Sequence, residues 1–277
     1  MKTAKEIFDH FINQIHFTDE GEKKSMAYLL LEDVFGLTKT DIIVDKSVNI
    51  DEALLFRCID RINNNEPIQQ VIGFTFFRGR KFNVNPSVLI PRIETEELIE
   101  HIKSLKISSP SVLDIGTGSG CIAISLDLEI PEAEVWALDI SEAALTIAKE
   151  NQKSLNSKVS FIQADFLKDF SFAHDLDVVV SNPPYIRNFE KEEMEPNVLD
   201  HEPHLALFVP DENPLVFYEA LASFGKKNLK NNGYVLAEIN SYLGKETLAL
   251  FEQYDYKEVE IIKDIFDKDR FVKAKKY

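Results

Sequence analysis

From residue 91 onward, short apolar runs alternate with stretches of helical periodicity, and this alternation restricts the fold more than any other feature of the chain. The runs fall at 111–115 (SVLDI), 134–139 (EVWALD), 158–163 (KVSFIQ), 176–181 (LDVVVS) and 233–239 (GYVLAEI). Helical stretches separate several of them, notably 119–129 and 141–155. Strands that are apolar almost without interruption are buried on both faces, and the intervening helices supply the cover. The pattern predicts an α/β fold around a mostly parallel sheet. Two strand-like pieces at 257–262 and 271–275, joined only by a loop, are expected to pair antiparallel at a sheet edge.

The N-terminal part reads differently. Ile7, Phe8, Phe11, Ile12 and Ile15 recur at helical spacing, as do Met26, Ala27, Leu30, Leu31, Val34 and Phe35. Gly36 closes the second stripe as a C-cap. A third stripe, Ala53, Leu54, Phe56, Ile59 and Ile62, ends at Asn63-Asn64-Asn65. These stripes predict a small helical bundle over residues 1–65. Between 66 and 90, Val71, Ile72, Phe74, Phe76, Phe77, Phe82, Val84 and Val88 are strand formers punctuated by Gly73, Gly79 and Asn85-Pro86. They predict a hairpin-like linker to the larger domain, residues 91–277.

Composition narrows the function. With 277 residues, 44% of them hydrophobic, a substantial core is available to one large or two unequal domains. Lys+Arg 31 against Asp+Glu 47 leaves a net charge of -16, which argues against binding nucleic acid through general phosphate attraction. Cys58 and Cys121 form no CxxC pair and no metal-ligand spacing, as suits a reducing cytosol. No apolar run approaches the roughly 18 residues of a membrane helix. Glu6 and Asp9 interrupt the stretch that a signal peptide would need. A soluble, cytoplasmic protein is the expectation.

The strongest local signal is Asp114-Ile115-Gly116-Thr117-Gly118-Ser119-Gly120, directly after one strand and opening a helix. Glycines there let the backbone turn tightly and approach a ligand closely. Asp114 offers an acceptor to an ammonium or a water. The G-x-G-x-G spacing differs from the dinucleotide fingerprint, since Cys121 occupies its third glycine position, and no Walker lysine follows. Asp139, at the end of the next strand, suits the two hydroxyls of a ribose, while Ser141 caps the following helix. After the third strand, Asp165 suits an adenine amino group and Phe166 a contact with the ring.

The fourth strand runs into Ser181-Asn182-Pro183-Pro184-Tyr185. Two prolines cannot continue a ladder, so the strand stops at the same sheet end as the glycine loop. The Asn182 side chain and the Pro183 carbonyl are two rigid acceptors, which suits an NH₂ group with two hydrogens to give. Tyr185 can lay its ring against the planar group that carries the nitrogen. His201 and His204 flank a proline and lack a completing carboxylate motif, so no metal is expected. Glu190, Glu192, Glu193, Glu195, Asp200 and Glu202 read as a solvated acidic loop that can also flank a substrate channel.

The DIGTGSG loop, Asp139 and NPPY together resemble class I S-adenosylmethionine-dependent methyltransferases that act on exocyclic or amide nitrogen. More closely, the chain resembles the protein-(glutamine-N5) methyltransferases of peptide-chain release factors, the HemK/PrmC family. Residues 66–100 resemble the family's linker and its P-R-P-x-T-E segment. EPHLALF at 202–208 resembles the family's stretch after NPPY, and KDRFVKAKKY closes the chain in the family's manner. Ile93 departs from the family's second proline, while Pro91, Arg92, Thr95 and Glu96 remain.

The resemblance implies a Rossmann-like, mostly parallel seven-stranded sheet with an antiparallel edge, plus a small N-terminal helical domain that is a candidate for substrate recognition. It implies S-adenosyl-L-methionine as cofactor, held by Asp114, Gly116, Thr117, Gly118, Ser119, Gly120, Asp139, Asp165, Phe166 and Asn182. Asn182, Pro183 and Tyr185 would be catalytic, with Pro184 lining the substrate site. The implied substrate is the glutamine of the release factors' Gly-Gly-Gln tripeptide, and the enzyme is expected to be a monomer. Two alternatives stand beside this reading: an adenine-N6 nucleic-acid methyltransferase and a noncatalytic S-adenosylmethionine-binding module. The charge argues against the first and the intact NPPY against the second.

Overall fold

In the computed structural model, which describes every residue except Met1, Thr18 and Asp169, local signals set the ends of several helices. The chain divides into Met1–Phe74 with Glu195–His201, and Thr75–Met194 with Glu202–Tyr277. In the first unit β1 (Lys2–Thr3) leads into α1 (Ala4–Gln14), where Thr3 and Glu6 form a capping box. Helix α2 (Glu20–Phe35) is capped by Asp19 and stopped by Gly36 in the left-handed conformation. Then come α3 (Lys39–Ile43), β2 (Ser47–Val48, paired with β1), α4 (Glu52–Asn63) and α5 (Ile68–Ile72). Ile7, Phe11, Leu30, Leu31 and Ile62 are the buried centre of this helical unit. Val71 and Ile72, read as strand formers, instead end α5. Pro67 starts that helical turn, and Gly73, at φ +87°, stops it.

A hairpin follows, β3 (Phe74–Phe77) and β4 (Arg80–Asn83). The second unit continues through α6 (Glu96–Ser104), β5 (Ser111–Ile115), α7 (Cys121–Glu129), β6 (Glu134–Asp139), α8 (Glu142–Leu155), β7 (Ser160–Gln163) and β8 (Leu176–Ser181). Two short strands, β9 (Ile186–Arg187) and β10 (Phe208–Val209), pair in parallel. Between them run a 3₁₀ segment at Asn188–Glu193, α9 (Pro196–His201, part of the first unit) and α10 (His204–Leu207). The chain ends with α11 (Val216–Asn228), β11 (Leu229–Glu238), α12 (Gly244–Gln253), β12 (Lys257–Lys263) and β13 (Asp269–Lys275).

Seven strands form one sheet in the order β12-β13-β11-β8-β5-β6-β7. Neighbours from β11 to β7 are parallel, and β13 is antiparallel to both β11 and β12. The two C-terminal strands thus pair antiparallel, but only β12 is an edge; β13 is inserted beside β11. All five residues of β5 are buried, which explains their unbroken apolar run around Asp114. One face packs Leu113, Val179, Tyr218 and Phe251, the other Val112, Ile122, Val180 and Phe271. Burying each such side chain contributes about 1.5–3 kcal/mol.

The sheet's strand order reverses between β5 and β8. The loops after these two strands therefore diverge, leaving a crevice at their carboxyl ends. Both the glycine loop and NPPY start there.

Helix α11 meets the sheet through Gly225. A Cβ at that position would overlap Tyr256 Oη and stand 3.0 Å from Val235 Cγ2. Tyr256 is itself fixed by donating to the Ala222 carbonyl at 2.9 Å. Gly225→Ala should therefore destabilise the protein by about 1–3 kcal/mol through overpacking, against its better helix propensity. Urea unfolding checks this; an unchanged or raised midpoint would show that Tyr256 yields without cost.

Candidate active site

The glycine loop folds back over the end of β6. Gly116 and Thr117 N–H groups donate to the Leu138 carbonyl at 2.8 and 3.0 Å, and Gly120 N–H closes the turn on the Thr117 carbonyl. Gly116 and Gly118 have φ of +74° and +53°, and a Cβ on either would meet no atom within 4 Å. That space is a cradle that only glycine leaves open. Gly120 differs. A Cβ there would stand 3.0 Å from Ile124 Cδ1 and 3.2 Å from Ala148 Cβ, so this glycine permits close packing of α7 and α8. Ser119, also buried, is anchored by its carbonyl, which accepts from Asn151 Nδ2 at 2.9 Å.

Asp114 is fully buried at the start of the loop. Its Oδ2 accepts from Thr117 Oγ1 at 2.6 Å, while Oδ1 finds no hydrogen-bond partner among the described residues. Burial pushes its carboxyl up to about 7, although Thr117 and the Ala123 amide favour the ionised form. An unpartnered buried acceptor suits an ammonium.

Asp139, at the end of β6, is partly buried, and burial raises its pKa. Oδ2 accepts from Gly118 N–H at 2.8 Å and Oδ1 from Ser141 N–H at 2.9 Å. Each oxygen keeps a further lone pair for a hydroxyl. Asp165, beyond β7, accepts from Leu167 N–H at 3.1 Å and pairs with the largely exposed Lys168 at 3.1 Å. Phe166 packs edge-on against Phe224 with ring centroids 5.5 Å apart and is only 9% exposed. Its ring belongs to the core beneath the loop, so it offers a ligand little open face. The open glycine cradle, the orphaned Asp114 oxygen and the Asp139 carboxylate fit a nucleoside that carries an ammonium.

NPPY follows β8 as expected. Ser181 Oγ donates to the Ile115 carbonyl at 2.6 Å, locking the start of this turn to the start of the glycine loop. Asn182 is half-buried and its Nδ2 donates to Thr95 Oγ1 at 3.2 Å. Among the described residues, no hydrogen bond reaches Asn182 Oδ1 or the Pro183 carbonyl. Pro183 is buried and Pro184 half-buried. Tyr185 OH donates to Glu238 Oε1 at 2.9 Å, which fixes the ring, and Asn240 Nδ2 donates to the Tyr185 carbonyl at 3.1 Å.

Several of these anchors escape a reading of the sequence alone. Glu202, read as part of a solvated loop, is 4% exposed: it accepts from Ile90 N–H at 3.0 Å and from Arg92 Nη2 at 2.5 Å. Burying a carboxylate needs such partners. Glu190 is half-buried, paired with Arg187 at 2.9 Å and contacted by Asn240. Glu238 lies inside the apolar run of β11 and is 2% exposed. A lone carboxylate within a buried strand is a signal that could have singled it out. Ile93, the departure from the resembled motif, is 63% exposed, so its side chain carries little packing.

Comparison with known proteins agrees with this geometry. The methyltransferase small domain family matches residues 93–201, and the PrmC N-terminal domain family matches residues 6–73. The chain is 44% identical to the release factor glutamine methyltransferase of Flavobacterium psychrophilum, over 92% of this chain and 93% of that one. It is 46% identical to that of Bacteroides thetaiotaomicron, over 91% and 92%. Among solved structures, a methyltransferase from Pyrococcus furiosus shares the fold, with TM-score 0.55 and 17% identity over 78% of this chain and 96% of that one.

The raised pKa of Asp114 has a consequence for stability. Between its ordinary 3.8 and about 7 the folded protein holds a proton that the unfolded chain has released. The stability this group contributes is complete at the acid end of that window and lost as pH rises through it. Relative to Asp114→Asn, which cannot ionise, the wild type should lose stability steadily from about pH 4 to pH 7 and then level off. Denaturant unfolding of both proteins over this range checks the prediction; parallel curves would show an ordinary carboxylate.

Proposed function

Because the chain belongs to the release factor glutamine methyltransferase family, we propose that it transfers a methyl group from S-adenosyl-L-methionine to the side-chain amide nitrogen, N5, of the glutamine in the Gly-Gly-Gln motif of peptide-chain release factors. The observation that carries this reading is the Asn182 amide. Its nitrogen is engaged by Thr95, and its oxygen is left to accept beside the Pro183 carbonyl.

An amide nitrogen is a poor nucleophile, because its lone pair is delocalised into the carbonyl. Two acceptors that take both of its hydrogens orient the lone pair and raise the electron density on nitrogen. Asn182 Oδ1 and the Pro183 carbonyl are those acceptors, and Tyr185, held by Glu238, supports the planar amide. Bound S-adenosylmethionine supplies an electrophilic methyl on a sulfonium. Asp114 would hold its ammonium and Asp139 its ribose hydroxyls, with Gly116 and Gly118 giving it room. Asp165 lies beyond β7, three strands from β8. At about 4.8 Å per strand that is roughly 14 Å, a span suited to an adenine at one end and a reacting methyl at the other. Transfer would form the N–C bond as the sulfonium's C–S bond breaks, with sulfur keeping the electron pair as a neutral thioether and one amide hydrogen leaving as a proton to solvent. Orientation supplies most of the acceleration.

This reading makes a release factor the protein partner and the cytoplasm the place of action, with a monomer as the working unit and the helical unit as a second grip on the substrate. No described helix is long and apolar enough to cross a membrane.

Mass spectrometry of a release factor incubated with enzyme and cofactor tests the reading. One added methyl on the Gly-Gly-Gln glutamine is expected, and none when that glutamine is asparagine. Methyl appearing on adenine of added DNA or RNA instead would overturn it. Asn182→Ala should lower turnover by about 10²-fold or more, with cofactor affinity less affected. Asp139→Ala should do the reverse, weakening cofactor binding by about 1–3 kcal/mol in calorimetry. Unchanged affinity in a folded Asp139→Ala protein would remove the ribose assignment.

A further inference from the structure

A carboxamide is nearly symmetric in shape, so packing alone hardly distinguishes its two orientations. For Asn182 the difference is decisive under the reading above. One orientation offers an acceptor to the substrate's NH₂; the other sets NH₂ against NH₂. The side chain must therefore be fixed by a neighbour that only one end of the amide can satisfy.

Thr95 is such a neighbour. It is 2% exposed, and its hydroxyl donates to Glu238 Oε2 at 2.7 Å. A hydroxyl has one hydrogen. With that hydrogen on the carboxylate, Thr95 Oγ1 can only accept from Asn182, 3.2 Å away, so the amide nitrogen must face it and the oxygen must face outward. Glu238 is held in turn from several sides. Tyr185 OH donates to its other oxygen at 2.9 Å, and Tyr218 OH donates to its backbone carbonyl at 3.1 Å. Arg270, itself bound to Asp264 at 2.9 Å, stands 4.0 Å from the carboxylate. The same carboxylate therefore orients both the asparagine and the tyrosine of NPPY.

We propose that Thr95 is a positioning residue: with its hydrogen committed to Glu238, it fixes the Asn182 side chain with the amide oxygen toward the methyl-accepting nitrogen. The inference rests on the glutamine-amide reading for its catalytic consequence, but the orientation itself is a property of the free enzyme.

Two readouts separate these parts. The first is hydrogen exchange of the Asn182 side-chain amide by NMR, with the resonance assigned by its loss in Asn182→Ala. Protection of Nδ2 should fall about tenfold in Thr95→Val, which keeps the shape and loses the hydroxyl, and should persist in Thr95→Ser. The second is methyl transfer to a release factor. Thr95→Val should lower kcat about 10–100-fold with KM and cofactor affinity nearly unchanged, and Thr95→Ser should restore most of the rate. Exchange and turnover in Thr95→Val like those of the wild type would overturn the proposal. So would a Thr95→Ser protein as slow as Thr95→Val, since the methyl group rather than the hydroxyl would then matter. Protection that follows the hydroxyl in a protein that methylates no glutamine supports the positioning and overturns the substrate reading alone.

Discussion

A strand buried on both faces has its backbone hydrogen bonds with neighbouring strands, and its ends are the places where the chain is free to serve a ligand. The parallel set β11-β8-β5-β6-β7 brings the carboxyl ends of five strands to one side of the sheet. The residues with chemistry to offer follow these ends: the glycine loop after β5, Asp139 at the end of β6, Asp165 beyond β7, NPPY after β8, and Glu238 at the end of β11. The reversal of strand order between β5 and β8 opens the crevice where the first and fourth of these meet. The Ser181 hydroxyl on the Ile115 carbonyl ties the two turns together at that point.

Around that crevice the unit buries carboxylates that a purely structural core would avoid. Glu238 and Glu202 are 2% and 4% exposed, and Asp114 is fully buried. Taking a carboxylate out of water is expensive, and hydrogen bonds or an ion pair return only part of that cost. Each of these groups fixes a segment of irregular backbone or a side chain at the sheet's carboxyl edge. Glu202 holds Ile90 and Arg92 ahead of α6, Glu238 holds Thr95 and Tyr185, and Asp114 holds Thr117. Loops with few apolar contacts gain rigidity this way, and a site that works by orientation needs it.

Under the proposed function, labour is divided along the sheet. The groups suited to a nucleoside cluster at β5, β6 and β7, on one side of the crevice. Those suited to a planar amide follow β8 and lie on the segments that Glu238 gathers. Substitutions on one side should leave the other largely intact, since no direct hydrogen bond joins Asp139 to Asn182.

Much of this was legible in the sequence because it depends on local patterning. Apolar runs such as SVLDI and LDVVVS specify buried strands, positive-φ turns require glycine at Gly116 and Gly118, and Pro183-Pro184 must end β8. Helix ends written by Gly36 and Ser141 follow the same logic. What the sequence could not decide were contacts between distant segments. Val71 and Ile72 favour strands by propensity, yet Pro67 and Gly73 enclose them in a helical turn packed into the helical unit's core. Glu202 looks like one more charge in an acidic loop, and only folding brings it to Arg92, 110 positions away. Phe166 looks available for stacking until Phe224 closes over it. The orientation of the Asn182 amide belongs to the same class. Residue type says that an acceptor and a donor are present, but which one faces away from Thr95 depends on a hydroxyl 87 positions earlier and a carboxylate at the end of β11.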